Sequence, residues 1–268
     1  MNEELFDNEK NLIIEFYLIH CRGWIKSQGK GTSAAGATFE YLLGKKEDTN
    51  SLPDYYGIEL KTKLITSTYP IRLFSVVPDN RPSVLNELYD KCSWGKLGNR
   101  EIKVLQAIIN TTSYSNNHRK YAFKLYVNRA KRRVELLVRN NWDNYYVTND
   151  ISWSFDELEL RLTTKLSNLA IIHAQKETVK ENKIEYFKYN TMDLYRLKSF
   201  DNFLDLLESG KIFVELKMYP YTDGELKGQF RNRETTFNIN EEDIPLLFDK
   251  VDANVKNIVK NIPNWQKS

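Results

Sequence analysis

The sequence has few of the residues that build disulfide and zinc centres. Among 268 residues there are 2 cysteines and 3 histidines, namely Cys21, Cys92, His20, His118 and His173. Two cysteines cannot form a disulfide framework or a zinc-ligand set, and the scattered histidines argue against a metal centre built on imidazole. Any metal ion that the protein uses is therefore expected to have oxygen ligands.

Long apolar runs and a strong net charge are also missing. No uninterrupted apolar stretch approaches the roughly 18 residues of a membrane span, and the N-terminus MNEELFDNEK is too polar and acidic for a secretory signal. These absences favour a cytoplasmic protein that does not associate with membranes. The formal net charge of +3 excludes a globally basic coat protein for nucleic acid.

The chain does contain a large apolar and aromatic fraction. Hydrophobic residues make up 41%, with 16 Tyr, 13 Phe and 5 Trp, which excludes a disordered chain. The length suits one large domain or two smaller ones, and no repeat or Pro/Gly linker divides the chain. A change to short strands and loops indicates a lobe boundary near residue 190.

Hydrophobic periodicity predicts an α/β fold with alternating helices and strands. Helices are predicted over residues 3–19, 37–43, 154–168, 200–209 and 240–248. Strands are predicted over residues 57–64, 71–77, 102–110, 121–127, 134–138, 169–176, 184–189, 212–218 and 229–239. We expect the first two strands to be close to each other in a hairpin.

One short region, Pro53-Asp-Tyr-Tyr-Gly-Ile-Glu-Leu-Lys61, gathers groups that can do chemistry. Glu59 and Lys61 are two apart on a predicted strand, so both side chains leave the same face, about 7 Å apart. Asp54 precedes the strand, where a turn can aim its carboxylate at Glu59. A Glu-x-Lys pair on a strand is usually a solvated ion pair, and the nearby Asp54 is what favours a site.

Carboxylates and an ammonium in this arrangement suit the hydrolysis of a phosphate ester. Asp and Glu are hard ligands for Mg²⁺, with Mn²⁺ as a possible substitute, and such an ion lets a water molecule attack phosphorus. Lys61 can orient that water or stabilise the negative charge of the transition state. Glu40, on the predicted helix before the strand, is a fourth candidate.

The spacing of these residues resembles that of a known nuclease family. The stretches that carry the resemblance are Trp24-Ile-Lys-Ser, the Gly-rich loop, Ala37-Thr-Phe-Glu40-Tyr-Leu-Leu-Gly44, Asp54-x4-Glu59-Leu-Lys61 and Leu73-Phe74-Ser75. They are similar to the MvaI/BcnI family of type II restriction endonucleases and, more distantly, to MutH, the mismatch-repair nicking enzyme. All are members of the PD-(D/E)XK superfamily.

The resemblance implies a fold, an activity and partners. The fold would be a PD-(D/E)XK core with a mixed sheet flanked by helices in residues 1–190, plus a smaller DNA-recognition lobe in residues 191–268. The activity would be site-specific, Mg²⁺-dependent hydrolysis of double-stranded DNA. A cognate DNA methyltransferase would act in the same system without binding the nuclease, and the family is consistent with a monomer.

The resemblance also implies roles for particular residues. Asp54 and Glu59 would bind the metal ion together with the Leu60 carbonyl, Lys61 would act at the attacking water, and Glu40 would assist the metal site. DNA contacts would come from the Gly29–Gly36 loop and from the strand beyond the active site. The residues expected to make them are Lys30, Gly31, Thr32 and Lys63.

Base recognition would fall in residues 211–237, where this sequence departs from the family. The family has a His-Asp-His-Gly-Thr-like run, whereas this chain has Arg231-Asn-Arg-Glu-Thr-Thr-Phe237. The chemistry of the side chains still suits base edges, since Arg donates to guanine, Asn pairs with adenine and Glu accepts from cytosine. The candidates are Glu215, Lys217, Arg231, Asn232, Arg233 and Thr235, and the arginines could equally contact phosphates or be plain surface charges.

The residues from Arg119 to Arg139 carry eight basic groups and one acidic group, a local net charge of +7. Such a hairpin could bind DNA phosphates, or its charges could simply protect a sheet edge. Both alternatives stay open. Trp94 and Trp142 are expected to pack in a core or between lobes rather than to stack on bases, and His118 and His173 are expected to be structural rather than catalytic.

Two other functions fit the same motifs. A MutH-like nicking enzyme would need a recruiting partner, and a DNA-binding module could have lost catalysis. The presence of Asp54, Glu59 and Lys61 speaks against the second alternative.

Overall fold

A computed structural model gives the fold of the chain. It describes residues 5–44, 52–79, 84–94, 103–115, 120–143, 146–181, 183–221, 224–225 and 230–252, with only the backbone of 146–150 and 230–234. No helix in these ranges is long and apolar enough to cross a membrane.

In the part of the chain that the structure describes, α-helices separate groups of one to four strands. The helices are α1 (Asp7–Cys21), α2 (Ala34–Leu42), α3 (Val84–Cys92), α4 (Phe155–Leu166), α5 (Phe200–Glu208) and α6 (Ile244–Leu247). The strands are β1 (Ile25–Lys26), β2 (Glu59–Leu64), β3 (Ile71–Ser75), β4 (Leu105–Ile109), β5 (Tyr121–Asn128), β6 (Arg133–Asn140), β7 (Tyr146–Ser154), β8 (Asn168–Val179), β9 (Ile184–Leu197), β10 (Ile212–Pro220), β11 (Phe230–Ile239) and β12 (Phe248–Val251).

The chain forms two compact units, and each is made of separate stretches of sequence. The first contains residues 1–69, 163–198 and 248–268, and the second contains residues 70–162 and 199–247. The boundary expected near residue 190 lies within β9, inside the first unit. The units therefore do not follow the division into residues 1–190 and 191–268.

The first unit is built on a mixed five-stranded sheet. The strands run in the order β1, β9, β8 and β2, and β12 also pairs with β9. Strands β2 and β8 are parallel, whereas β9 is antiparallel to β8, β1 and β12. The mixed sheet predicted from the sequence is thus present.

One face of this sheet is covered by α1 and α2. The apolar positions of α1 recur at helical spacing, so one side of the helix is buried against the sheet. The buried cluster includes Leu12, Ile13, Phe16, Ile19, Ala34, Ala35, Phe39, Ile58, Leu60, Ala170, Ile172, Phe187 and Tyr189. Tyr189 also donates its hydroxyl to the Ala35 carbonyl at 2.8 Å, which ties the sheet to α2.

The second unit contains two antiparallel sheets. Strands β3, β11, β10 and β4 form one, and β5, β6 and β7 form the other. The Trp153 ring is fully buried, and its Nε1 donates to the Val76 carbonyl at 3.2 Å. The β5–β6 hairpin expected from alternation is confirmed, with Asn128 paired to Arg133 at its turn.

Three expectations about elements are wrong. Strands β2 and β3 do not form a hairpin, because they belong to different sheets and different units. Residue 248, predicted to end a helix, begins β12. Trp142 is 78% exposed rather than part of a core. Local periodicity predicted most elements, but it does not contain the information about which strands become neighbours.

Candidate active site

A tight turn places Asp54 beside the start of β2. Tyr55 and Ile58 exchange both backbone hydrogen bonds, at 2.9 and 2.8 Å. The two residues between them, Tyr56 and Gly57, have φ angles of 43° and 88°, the left-handed pair that a type I′ turn requires. The chain therefore folds back sharply, and Asp54 Oδ2 accepts the Leu60 N–H at 3.1 Å.

Strand β2 sends its side chains alternately to the two faces of the sheet. Ile58 and Leu60 are buried in the cluster under α1 and α2. Glu59 and Lys61 leave the opposite face, where Lys61 Nζ donates to Glu59 Oε1 at 2.5 Å. The sequence prediction that Glu59 and Lys61 share one face is consistent with this contact.

Glu59 is the buried charge of the site. Its residue is 1% exposed, and its Oε2 atom is buried with no hydrogen-bond partner in the described part of the chain. Loss of solvation raises the pKa of this carboxyl, and the charge of Asp54 raises it further, whereas Lys61 and Lys165 act in the opposite direction. The loss of solvation at Glu59 thus outweighs the stabilisation of its negative charge by the two lysines.

Lys165 is a member of the site that sequence reasoning did not assign. It lies in the last turn of α4, and its Nζ is 3.4 Å from Glu59 Oε1. The helix leads directly into β8, the parallel neighbour of β2, and this pairing brings Lys165 to Glu59. Only the parallel pairing of two distant strands could have revealed the contact.

Glu40 does not complete a three-carboxylate cluster. Among the residues that the structure describes, no three Asp, Glu, His or Cys side chains lie close enough together to hold a metal ion. Glu40 projects from α2 back towards Gly36, where a Cβ added to the glycine would meet both Glu40 Oε1 and Thr62 Cβ at 3.9 Å. Within the described ranges, the Glu59 carboxylate accepts from the Lys61 ammonium and the Asp54 carboxylate accepts from the Leu60 N–H.

The residues expected to contact DNA fall into groups of differing exposure. Lys30, Gly31 and Thr32 are exposed at the N-terminus of α2, and Lys63 is half-buried on β2. Glu215 and Lys217 form an ion pair at 3.0 Å on β10. Thr235 is 2% exposed, so burial contradicts the expectation that its side chain reaches a base. The side chains of Arg231, Asn232 and Arg233 lie outside the described part of β11.

Comparison with known proteins connects this geometry to one enzyme family. The sequence pattern of the MvaI/BcnI restriction endonuclease family matches residues 13–248. The chain belongs to this family. The resemblance drawn from the short motifs is thereby confirmed over almost the whole chain, and the chain is a type II site-specific DNA endonuclease.

Two solved structures support the same fold. Restriction endonuclease MvaI in complex with its cognate DNA substrate is 27% identical to this chain, with a TM-score of 0.82 over 92% of this chain and 98% of that chain. MvaI in the absence of DNA is 26% identical, with a TM-score of 0.59 and the same coverage. No curated protein in the comparison is significantly similar to the chain. The predicted PD-(D/E)XK-like fold class is confirmed.

Restriction endonucleases of this kind generally use divalent metal ions. The residues at this site fit such an ion. Asp54 and Glu59 could supply two carboxylates, and Glu59 Oε2 is a buried acceptor, without a partner among the described residues, that a cation would satisfy. Two protein carboxylates suffice for an ion such as Mg²⁺, which keeps several of its water ligands.

Proposed function

We propose that this endonuclease hydrolyses phosphodiester bonds of double-stranded DNA at the site formed by Asp54, Glu59 and Lys61, with Mg²⁺ as its ion and Mn²⁺ as a substitute. The observation that carries this proposal is the buried Oε2 of Glu59, which has no hydrogen-bond partner in the part of the chain that the structure describes and lies beside a lysine and a second carboxylate. A purely structural ion pair would leave no buried carboxylate oxygen without a partner.

Each residue has a distinct role in the proposal. Asp54, Glu59 and the Leu60 carbonyl would hold the divalent ion, and Glu40 would act from α2 on surrounding water rather than as a ligand. When bound, the ion supplies Lewis acidity that lowers the pKa of a water molecule and offsets charge on the phosphate. The Asp54 carboxylate is fixed by the Leu60 N–H, so it stays aimed at the site.

Lys61 would orient the attacking water and stabilise the negative charge that develops on the phosphate oxygens. Its Nζ is held on the Glu59 carboxylate and is partly exposed, so it can move to a substrate without leaving the site. Lys165 approaches the same carboxylate oxygen from α4. We assign it the role of compensating the charge of Glu59 when Lys61 turns towards the DNA.

DNA recognition is proposed to involve both units. Lys30, Gly31, Thr32 and Lys63 of the first unit would contact the DNA backbone, since they carry positive charge or allow close approach of their backbone N–H groups. Residues Arg231, Asn232 and Arg233, with Glu215 and Lys217 on the neighbouring strand, would read base edges from the second unit. Thr235 is buried, so no contact with a base is assigned to its side chain.

The proposed setting is the cytoplasm, where a restriction enzyme meets incoming DNA. A cognate DNA methyltransferase would protect the target sequence, and no physical contact between the two proteins is required. We propose a monomer, which has one active site and must cut the two strands in turn.

The test is cleavage of a mixed-sequence DNA followed by sequencing of the ends. Wild-type protein with Mg²⁺ is expected to give ends at one short sequence, with 5′-phosphate and 3′-hydroxyl groups. Asp54→Asn and Lys61→Ala should reduce cleavage by more than about a hundredfold while DNA binding persists. Lys165→Ala should reduce it by roughly tenfold, the effect of one partly screened charge.

A matched control is Lys176→Ala. Lys176 is an exposed lysine near the end of β8, away from the end that pairs with Glu59, and it forms an ion pair with Glu185 of β9. This variant should cut like the wild type. Normal cutting by both Asp54→Asn and Lys61→Ala would show that the site is elsewhere, and failure of wild-type protein to cut any DNA with Mg²⁺ or Mn²⁺ would contradict the mechanism.

A further inference from the structure

Three polar side chains line up across the sheet next to the proposed catalytic residues. Lys63 on β2 is in register with His173 on β8, and His173 is in register with Thr191 on β9. We call these three residues the outer row. His173 Nδ1 and the Thr191 hydroxyl are 3.3 Å apart, within hydrogen-bond distance.

The outer row lies on the same face as Glu59 and Lys61. On β2, Thr62 lies beside Gly36 of α2 and Leu64 packs on the buried cluster, so Lys63 must leave the opposite face. On β8, Ile172 and Ala174 belong to the buried cluster, so His173 also leaves the opposite face. Residues in register on neighbouring strands share a face, which places Thr191 with them.

On this face of the sheet, the outer row lies directly beyond Lys61 along the strands. Positions two apart on a strand are about 7 Å apart, so Lys63 follows Lys61 at that spacing. The positions beside Lys61 on the other strands cannot bind an anion, because Ile171 is apolar and Asp193 is acidic and paired with Lys250 at 2.8 Å. A DNA strand that leaves the catalytic residues along this face therefore next meets the outer row.

A β-bulge brings Thr191 to this position. The register between β8 and β9 shifts between His173 and Ala174, so that Asn190 is an extra residue between Tyr189 and Thr191. Tyr189 points into the core before the bulge, and Met192 packs on the core after it. Without the extra residue, Thr191 would follow the alternation of Tyr189 and face the core. Bulges next to active sites commonly re-aim a side chain in this way.

We propose that the outer row binds the phosphate next to the scissile phosphate on the same DNA strand. Thr191 donates its hydroxyl hydrogen to His173 Nδ1, which places the ring proton on Nε2, and Nε2–H donates to a non-bridging phosphate oxygen. Lys63 Nζ contributes positive charge to the same phosphate. The outer row thus positions the strand, while Asp54, Glu59 and Lys61 act on the bond that breaks.

The test uses duplexes that contain the target sequence and a single neutral methylphosphonate at either phosphate adjacent to the cut. Cleavage by the wild type should fall about tenfold or more at one of these two positions, since a hydrogen bond to a charged group is lost. His173→Ala should lose a similar factor in kcat/KM on the natural duplex. The kcat/KM of His173→Ala should fall no further on the methylphosphonate duplex, because the contact with the phosphate is already lost in this variant.

Two further variants separate contact with the phosphate from damage to the fold. His173→Gln keeps a terminal N–H donor and should recover most of the lost activity and of the sensitivity to methylphosphonate. Thr178→Ala removes an exposed side chain from the opposite face of β8 and should behave like the wild type. Affinities for the natural and the methylphosphonate duplex, measured without divalent ion, should change in the same way as the cleavage rates. The reason is that the outer row acts on binding rather than on the chemical step.

The inference rests on the proposed active site, and the outcomes distinguish the two. If Lys61→Ala abolishes cleavage while His173→Ala keeps the full methylphosphonate penalty, the outer row is not a phosphate site. If Lys61→Ala cuts normally, the catalytic assignment itself fails. Wild-type activity of His173→Ala on the natural duplex would also overturn the inference.

Discussion

Glu59 keeps its carboxyl group in the interior of the protein, where its Oε2 atom has no hydrogen-bond partner among the described residues. Transfer of such a group from water costs free energy unless charges and hydrogen bonds compensate it. Lys61 and Lys165 compensate part of that cost through Oε1, and Asp54 adds to it. A carboxyl in this state lowers the stability of the protein, and in the proposed mechanism a bound cation would offset that cost.

Replacement of Glu59 should therefore stabilise the metal-free protein. Glu59→Gln removes the charge, and its thermal unfolding midpoint at neutral pH should exceed that of the wild type, by about 2–4 °C for each kcal/mol relieved. Cleavage should be lost.

The pH dependence of this difference follows from the raised pKa of Glu59. The folded protein binds the Glu59 proton more tightly than the unfolded chain, so stability falls as pH rises from the ordinary carboxyl pKa of 4.5 through the raised folded value. The two proteins should have equal midpoints below 4.5 and differ fully above the raised pKa. A midpoint lower than wild type across the whole range would contradict this account.

At the scale of one element, the turn at Tyr55–Ile58 decides where Asp54 lies. A two-residue I′ turn needs left-handed backbone at both central positions, and Gly57 supplies the more extreme of the two angles, 88°. A Cβ on Gly57 would meet no atom of the described residues within 4 Å, so backbone strain is the expected cost of adding one.

Gly57→Ala should reduce stability by about 1–2 kcal/mol, the usual cost of a left-handed conformation for a residue with a side chain. Cleavage measured well below the melting temperature should fall as well, because a relaxed turn moves Asp54 away from Leu60. Tyr56→Asn is the matched control, since Tyr56 is 83% exposed and Asn tolerates its φ of 43°. Unchanged stability and activity in Gly57→Ala would show that the turn does not control Asp54.

Over the whole molecule, part of the positive charge between residues 119 and 139 is paired with carboxylates. Among the residues of this segment that the structure describes, Arg129, Arg132 and Arg133 form ion pairs within the second unit. Arg129 makes a bidentate contact with Glu208 at 2.8 and 2.9 Å and a further one with Asp205 at 2.7 Å. Arg132 pairs with Asp156 and Arg133 with Glu135. The hydrogen bonds from Arg129 lower the pKa of Glu208, as expected for a carboxylate held in its charged form.

The paired arginines should contribute little to DNA binding. Arg129→Ala and Arg132→Ala should leave unchanged the slope of log affinity against log salt, and each should cost less than about 1 kcal/mol of stability because the pairs are exposed. A slope reduced by roughly one unit per arginine would instead assign these residues to phosphate contacts.

With a single active site per chain, a monomer should cut the two strands of a duplex one after the other. A supercoiled plasmid with one target sequence should pass through an open-circular, nicked form before it becomes linear, because one site cuts one strand at a time. The proportion of the nicked form, followed by gel electrophoresis, should not depend on protein concentration. Direct conversion to linear DNA without a nicked form would indicate that two chains act together.

The sequence by itself determined the local chemistry of this protein. Asp54, Glu59 and Lys61 are close along the chain, and the period of a strand places Glu59 and Lys61 on one face whatever the rest of the molecule does. The spacing of these residues was enough to indicate the family.

Only the tertiary structure decided the surroundings of that motif. Three features depend on strand pairing between distant segments. They are the burial of Glu59, the approach of Lys165 and the alignment of Lys63 with His173 and Thr191. Such pairing follows from the packing of whole sheets, and no local pattern in the sequence specifies it.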